Sequence, residues 1–246
     1  MEIGAQFFTL RDYCQNLTDF EESLKKVADI GYKIVQISGT CEYDAVWLDE
    51  KLKENGLKCV ITHNAADKLI SDTEKICEDN FRFGCKNIGL GWYPFTKDGT
   101  IDDFCEKYLP VAEKVKQSGG YFMYHNHDGE FKKIDNKPII EHLAEKISPE
   151  LMGFTLDVFW VQAGGGDPGY WLERLKGRVP CMHLKDFAYG KKMAFLGDGN
   201  INFDRIFAKA EEAGTEYMLV EQDDCYDMNP FECLERSYKY LVSKGF

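Results

Sequence analysis

Short apolar runs alternate along this chain with longer stretches whose apolar positions recur every three or four residues, the signature of strands alternating with helices. The runs predict strands at residues 3–8, 33–38, 57–62, 87–90, 121–125, 153–157, 179–183 and 217–221. The periodic stretches predict helices at 16–30, 44–55, 67–83, 101–118, 138–147, 168–175, 203–213 and 230–243. In the first helix Leu17, Phe20, Leu24, Val27 and Ala28 share one face, and Gly31 closes it. Gly56, Gly84, Gly119, Gly177 and Gly214 close further helices and lead quickly into the next strand. The connections after strands four to seven are long instead. Strand and helix thus alternate eight times, the strands are apolar on both faces, and long loops gather at one end. This pattern predicts a single (β/α)8 TIM barrel spanning residues 1–246 as one domain. A doubly wound open sheet fits less well. It needs a glycine-rich turn after strand one, where this chain has Thr9-Leu10-Arg11-Asp12-Tyr13. Gly164-Gly165-Gly166 follows strand six but lacks the Lys-Ser/Thr of a phosphate loop.

The chain's 246 residues are close to the ~250 typical of such a barrel. With 44% hydrophobic residues it can bury a full core. Its net charge of −12 repels a phosphate backbone, so nucleic acid is not an expected partner. The N-terminus enters a strand at once and does not read as a signal peptide, and no apolar run approaches a membrane span. Nine cysteines are scattered without paired spacing. Cys59, Cys85 and Cys181 fall in or beside strands and Cys77 and Cys105 on helices, as buried free thiols would. A cytoplasmic protein is expected, with a homo-oligomer left open.

Chemistry concentrates at the strand ends. Four of the five histidines lie there: His63, the pair His125 and His127, and His183. Asp157 ends strand six and Glu221 ends strand eight. In a parallel barrel, residues at the C-terminal ends of adjacent strands converge on one point. Two carboxylates with an imidazole suit Mn²⁺, Mg²⁺, Co²⁺ or Zn²⁺. Asp157, His183 and Glu221 are therefore the expected metal ligands. Strand five adds His125, His127 and, beyond its end, Glu130. Side chains two apart share a strand face, so His125 and His127 should face the same pocket. Lys185 is a candidate to steady a substrate oxygen and Asp186 to orient a ligand. Gln36 and His63 are candidates for contacting substrate hydroxyls. Trp92, Phe159 and Trp160 are candidates for stacking on a sugar face.

Several segments resemble the xylose isomerase-like sugar phosphate isomerase/epimerase proteins. They are Gly4-Ala5-Gln6-Phe7-Phe8-Thr9-Leu10-Arg11-Asp12, His125-Asn126-His127-Asp128-Gly129-Glu130-Phe131 and Leu156-Asp157-Val158-Phe159-Trp160. His183-Leu184-Lys185-Asp186, Gly197-Asp198-Gly199-Asn200-Ile201-Asn202-Phe203 and Val220-Glu221-Gln222-Asp223 complete the set. The resemblance runs the length of the chain and is specific for the superfamily, not for a substrate. It implies a TIM barrel and a divalent metal, most often manganese, held by Glu, Asp, His and Glu at the ends of strands five to eight. Asp157, His183 and Glu221 match the last three. His125 stands where many members carry Glu, so the fourth ligand is open among His125, His127 and Glu130. Trp160 stands where members with a larger zinc cluster carry His, which argues against a nuclease.

Such a metal acidifies the C–H beside a carbonyl and stabilises the enediolate. Glu221 is the candidate for one base, and His127 or Glu130 for the second. Proton return gives epimerisation or ketose–aldose isomerisation, and loss of a β-hydroxyl gives dehydration. The expectation is a metal-dependent isomerase or epimerase of a carbohydrate, phosphorylated or not. The alternatives are a dehydratase of a keto-sugar or keto-inositol, and a non-catalytic sugar-binding barrel.

Overall fold

In the computed structural model, which describes residues 1–95 and 99–246, eight parallel strands close into a barrel. They are β1 (Glu2–Gln6), β2 (Ile34–Ile37), β3 (Lys58–Asn64), β4 (Asn87–Leu90), β5 (Tyr121–His125), β6 (Met152–Asp157), β7 (Cys181–Leu184) and β8 (Tyr217–Val220). Each pairs with its neighbours in sequence, and β1 closes the ring on β8 through pairs such as Gly4 with Leu219. The helices α1 (Leu17–Ile30), α2 (Ala45–Glu54), α3 (Ala66–Ser71), α4 (Thr73–Arg82), α5 (Ile101–Ser118), α6 (Ile139–Lys146), α7 (Val158–Ala163), α8 (Pro168–Arg174), α9 (Phe203–Ala213) and α10 (Pro230–Ser243) accompany the strands. This is the (β/α)8 barrel that the apolar pattern predicts.

The departures are local. Strand one stops at Gln6, whose side chain accepts a hydrogen bond from Phe8 N and turns the chain into a 3-10 helix, Phe7–Tyr13. The helix expected over 67–83 breaks into α3 and α4 at Asp72, whose φ of −130° is not helical. Helix α7 follows β6 without a loop because Asp157 caps it, accepting from Trp160 N. Two hairpins sit in the long loops, Lys133–Ile134 with Lys137–Pro138 and Asp186–Ala188 with Lys192–Ala194. Strands this short carry no readable period. All nine cysteines are free, and six of them are buried. Among the described residues no helix is long and apolar enough to cross a membrane.

Strand alternation explains where the site lies. Ile34, Ile61, Met123, Cys181 and Leu219 form an apolar cluster separate from the larger core between sheet and helices. Two residues further along the same strands, on the same face, come Gln36, His63, His125, His183 and Glu221. The interior thus changes from apolar plug to polar cup within one step of the pleat. Gly4 belongs to the plug, and a Cβ there would lie 2.6 Å from Ile34 O and 2.9 Å from Leu219 Cδ2. Gly4→Ala is expected to cost roughly 1–3 kcal/mol by overpacking, read as an earlier midpoint in urea unfolding. An unchanged midpoint would mean that the plug yields.

Candidate metal centre

The ends of β5 to β8 bring His125, Asp157, His183 and Glu221 together. One ligand atom of each lies within 4.8 Å of every other, and all four residues are buried. Asp157 Oδ2 is 3.3 Å from His125 Nε2 and 3.6 Å from His183 Nδ1, and Glu221 Oε2 is 2.9 Å from His183 Nδ1.

The far side of each imidazole sets which nitrogen faces the cluster. His183 Nε2 donates to Gln36 Oε1 at 2.7 Å, and His125 Nδ1 donates to the Gly91 carbonyl at 3.0 Å. Amide oxygens only accept, so these nitrogens carry the protons. Nδ1 of His183 and Nε2 of His125 are left to face the carboxylates. Between these nitrogens and the carboxylates a positive charge is favoured, a proton on His183 Nδ1 or a metal ion in its place. His183 Nδ1 and Glu221 Oε2, though close, lack hydrogen-bond geometry, and neither atom makes a hydrogen bond. Buried charge gives the same answer. Asp157, Glu221 and Asp223 surround the single ammonium of Lys185, and with His183 neutral two negative charges are left for a divalent ion to balance. The cluster can hold such an ion.

Electrostatics keeps both cluster carboxylates ionised. Burial opposes ionisation of Asp157 and Glu221, but the Lys185 ammonium and the neighbouring imidazoles hold both well below the usual carboxylate range. Burial alone would also depress His183, yet Glu221, seconded by Asp157, holds it up to about 9. That proton must leave before Nδ1 can ligate. Metal uptake near neutral pH is therefore expected to release about one proton per ion and to tighten as pH rises. Calorimetric titrations in two buffers of different ionisation heat count the protons; a count of zero would contradict a protonated His183.

A cavity of about 360 Å³ opens beside the cluster, lined by His63, His125, His127, Glu221 and Asp223 among others. In the barrel order, β8 lies across from β4, and β3 and β5 flank β4. Glu221 and Asp223 therefore face His63 and His127 across the mouth. Burial, above all, keeps His63 well below its ordinary value and His127 down at about 3, so both imidazoles are neutral. The Nε2 of His63 and Nδ1 of His127 are buried without a partner.

Other expected site residues have different settings. Glu130 points away from the cluster: Tyr124 OH donates to one carboxylate oxygen and His127 N to the other, at 3.1 Å for the second. Its pKa is raised, by burial foremost, and not depressed as a neighbouring cation would require. Asp186 is fully buried and anchors a loop, accepting from the backbone N–H groups of Phe187, Gly197, Gly199 and Ile201. Gln36 holds His183 and does not line the cavity. Lys185 is fully buried, its ammonium held by three carboxylates. Trp160 lies against the His127 ring at 5.2 Å, Trp92 is exposed at the cavity wall, and Phe159 is buried under Trp160 and Phe187.

Three contributors were missed by the sequence reading. Gln6 donates to Glu221 Oε1 at 2.6 Å, Asn126 Oδ1 accepts from Asp157 N at 3.0 Å, and Asp223 pairs with Lys185. Gln6 and Asp223 had a signal available, since each lies one pleat beyond an inward-facing residue.

Two imidazoles and two carboxylates converging at the C-terminal ends of β5 to β8 define a parallel barrel with a buried cluster able to hold a metal ion. The model of the xylose isomerase-like TIM barrel family matches residues 24–241, and the chain belongs to that family. Among its relatives is an inosose dehydratase of Bacillus cereus (strain AH820), 27% identical over 156 residues. The match covers 55% of this chain and 51% of that enzyme, so the chain spans about half the length of this relative. A crystal structure of a sugar phosphate isomerase/epimerase from Parabacteroides distasonis ATCC 8503 superposes with a TM-score of 0.83 at 24% identity, covering 99% of this chain and 94% of that one. The IOLI protein with a binding zinc atom gives 0.77 at 14% identity, covering 100% and 99%.

Proposed function

We propose that the chain is a divalent-metal-dependent isomerase or epimerase of an unphosphorylated polyhydroxy ketone, with Mn²⁺ as its ion. The observation that carries this reading is the buried cluster of His125, Asp157, His183 and Glu221 opening on a cavity with carboxylates on one wall and neutral imidazoles on the other. A divalent ion held there supplies Lewis acidity to the carbonyl and its neighbouring hydroxyl. The chain does the rest. Glu221, oriented by Gln6 and kept ionised, takes the proton from the carbon beside the carbonyl. His127 and His63 on the facing wall hydrogen-bond the hydroxyls and relay the proton on that side. Return from the facing wall inverts the carbon; return to the neighbouring carbon interconverts ketose and aldose. Gln36 and the Gly91 carbonyl fix the imidazoles and need not touch substrate. Among the described residues no lysine or arginine lines the cavity, while Glu221 and Asp223 do, which disfavours a phosphate group.

A second reading, dehydration of a keto-inositol, is favoured by the similarity to inosose dehydratase. It shares the first proton abstraction and differs in losing a β-hydroxyl. One experiment tests both. Mn²⁺-loaded protein is incubated in D₂O with unphosphorylated ketoses and inososes, and followed by proton NMR and ultraviolet absorbance. Deuterium entering beside the carbonyl with a new stereoisomer or aldose is the expected result. A conjugated enone would transfer the assignment to the dehydratase. No exchange on any member of the panel would sink both.

A further inference from the structure

Lys185 stands two residues past His183, on the same inward face, and is fully buried. Its Nζ lies 3.0 Å from Asp157 Oδ2, 2.8 Å from Glu221 Oε2 and 2.8 Å from Asp223 Oδ2. An ammonium has three N–H donors and no acceptor. One donates to Asp223 Oδ2, and the ammonium is ion-paired with Asp157 and Glu221, so it is turned to carboxylates and does not line the cavity. The side chain also passes beside the indole of Trp160, with Nζ 5.4 Å from the ring centroid.

Three carboxylates meeting around one buried point make a site for a hard cation. Two of them, Asp157 and Glu221, also belong to the metal cluster, each using the same oxygen toward Lys185 and toward an imidazole. The point occupied by Nζ is therefore where a second ion would share bridging carboxylates with the first. The occupant here is tied to β7 by its own stem.

We infer that Lys185 is a tethered cation that fills a second cation site. It keeps the centre mononuclear and holds Asp157 and Glu221 in place before a metal arrives. This inference rests on the metal-centre reading above and gives Lys185 a positioning role in place of contact with substrate. The charge count supports it. With Lys185 present, one divalent ion neutralises the buried groups. Without it, three carboxylates face that one ion, and a buried negative charge is left over.

Lys185→Met keeps an unbranched side chain, one atom shorter, and removes the charge. The protein is purified with Mn²⁺ throughout, dialysed against low micromolar Mn²⁺, and its metal content measured by plasma mass spectrometry. The wild type should hold about one ion per chain and Lys185→Met about two. Lys185→Arg, which restores the charge, should return to about one. Lys185→Met,Asp223→Asn removes a carboxylate as well and should also hold about one. After chelation the Lys185→Met protein should melt below the wild type, and Mn²⁺ should raise its melting temperature by more. Purification with metal keeps the stoichiometry readable if the metal-free variant does not fold. About one ion in both wild type and Lys185→Met overturns the tethered-cation role alone. A wild type that takes up no ion overturns the metal centre, and this inference with it.

Discussion

Asp157→Ala is expected to lose metal and turnover together. Asp157 is the one cluster carboxylate in contact with both imidazoles and with Lys185. Its removal takes away a ligand and leaves a buried ammonium short of one counter-charge, and uncompensated buried charges cost about 3–5 kcal/mol. The other oxygen caps α7 through Trp160 N, a contact whose loss adds about 1 kcal/mol. Glu221→Ala should behave alike for metal and turnover but spare the helix cap. Partners one step removed from a metal typically change its affinity about 10–100-fold, so losing a ligand outright should exceed that range. Asp157→Asn separates the two effects, because its amide oxygen can still cap α7 while the ligand charge is gone. Plasma mass spectrometry and circular dichroism on the three variants decide the matter. Full metal occupancy in folded Asp157→Ala would remove Asp157 from the ligand set.

The sequence made the barrel legible because its signals are local. Each apolar run, helical stripe and closing glycine is confined to a short window, and eight repetitions admit few topologies. Asp157, His183 and Glu221 were legible for a related reason: a strand end in a parallel barrel has a known destination. The direction of a side chain just beyond a strand was not legible. Glu130 is three residues past His127, and only the 3-10 turn Asp128–Phe131 decides that it turns back to Tyr124 and His127 N. Asp186 was read as a ligand-orienting group because it follows His183-Leu184-Lys185. Three of its four partners are backbone groups ten or more residues away, on a loop that it anchors. Gln36 was placed on substrate because an inward amide looks available. Its engagement with His183 depends on β2 facing β7 across the closed ring. The missed Gln6 makes a related point from β1, which meets Glu221 beyond β8 only where the ring closes. Partners that cross the barrel are invisible until closure brings them together.

Strand five supplies the second large effect. His125, where the family resemblance implies a glutamate in many members, belongs to the cluster: its Nε2 faces Asp157 while the Gly91 carbonyl holds Nδ1. His125→Gln shortens the reach and replaces the imidazole lone pair with an amide, so metal affinity should fall by at least about tenfold and proton exchange with it. Glu130→Gln should leave metal content at the wild-type level. Glutamine can still accept from His127 N and meet Tyr124 OH with its amide, so the turn survives. Glu130→Ala is harsher, because it strands a buried phenol and a backbone N–H at about 1–3 kcal/mol. It should release His127 from its place on the cavity wall, lowering turnover while the ion stays bound. Metal content and deuterium exchange measured side by side distinguish the roles. Metal lost only in Glu130→Gln would transfer the fourth ligand to Glu130 and require its carboxylate to swing away from Tyr124. Wild-type values in both variants would remove strand five from the chemistry and leave a centre of Asp157, His183 and Glu221 alone.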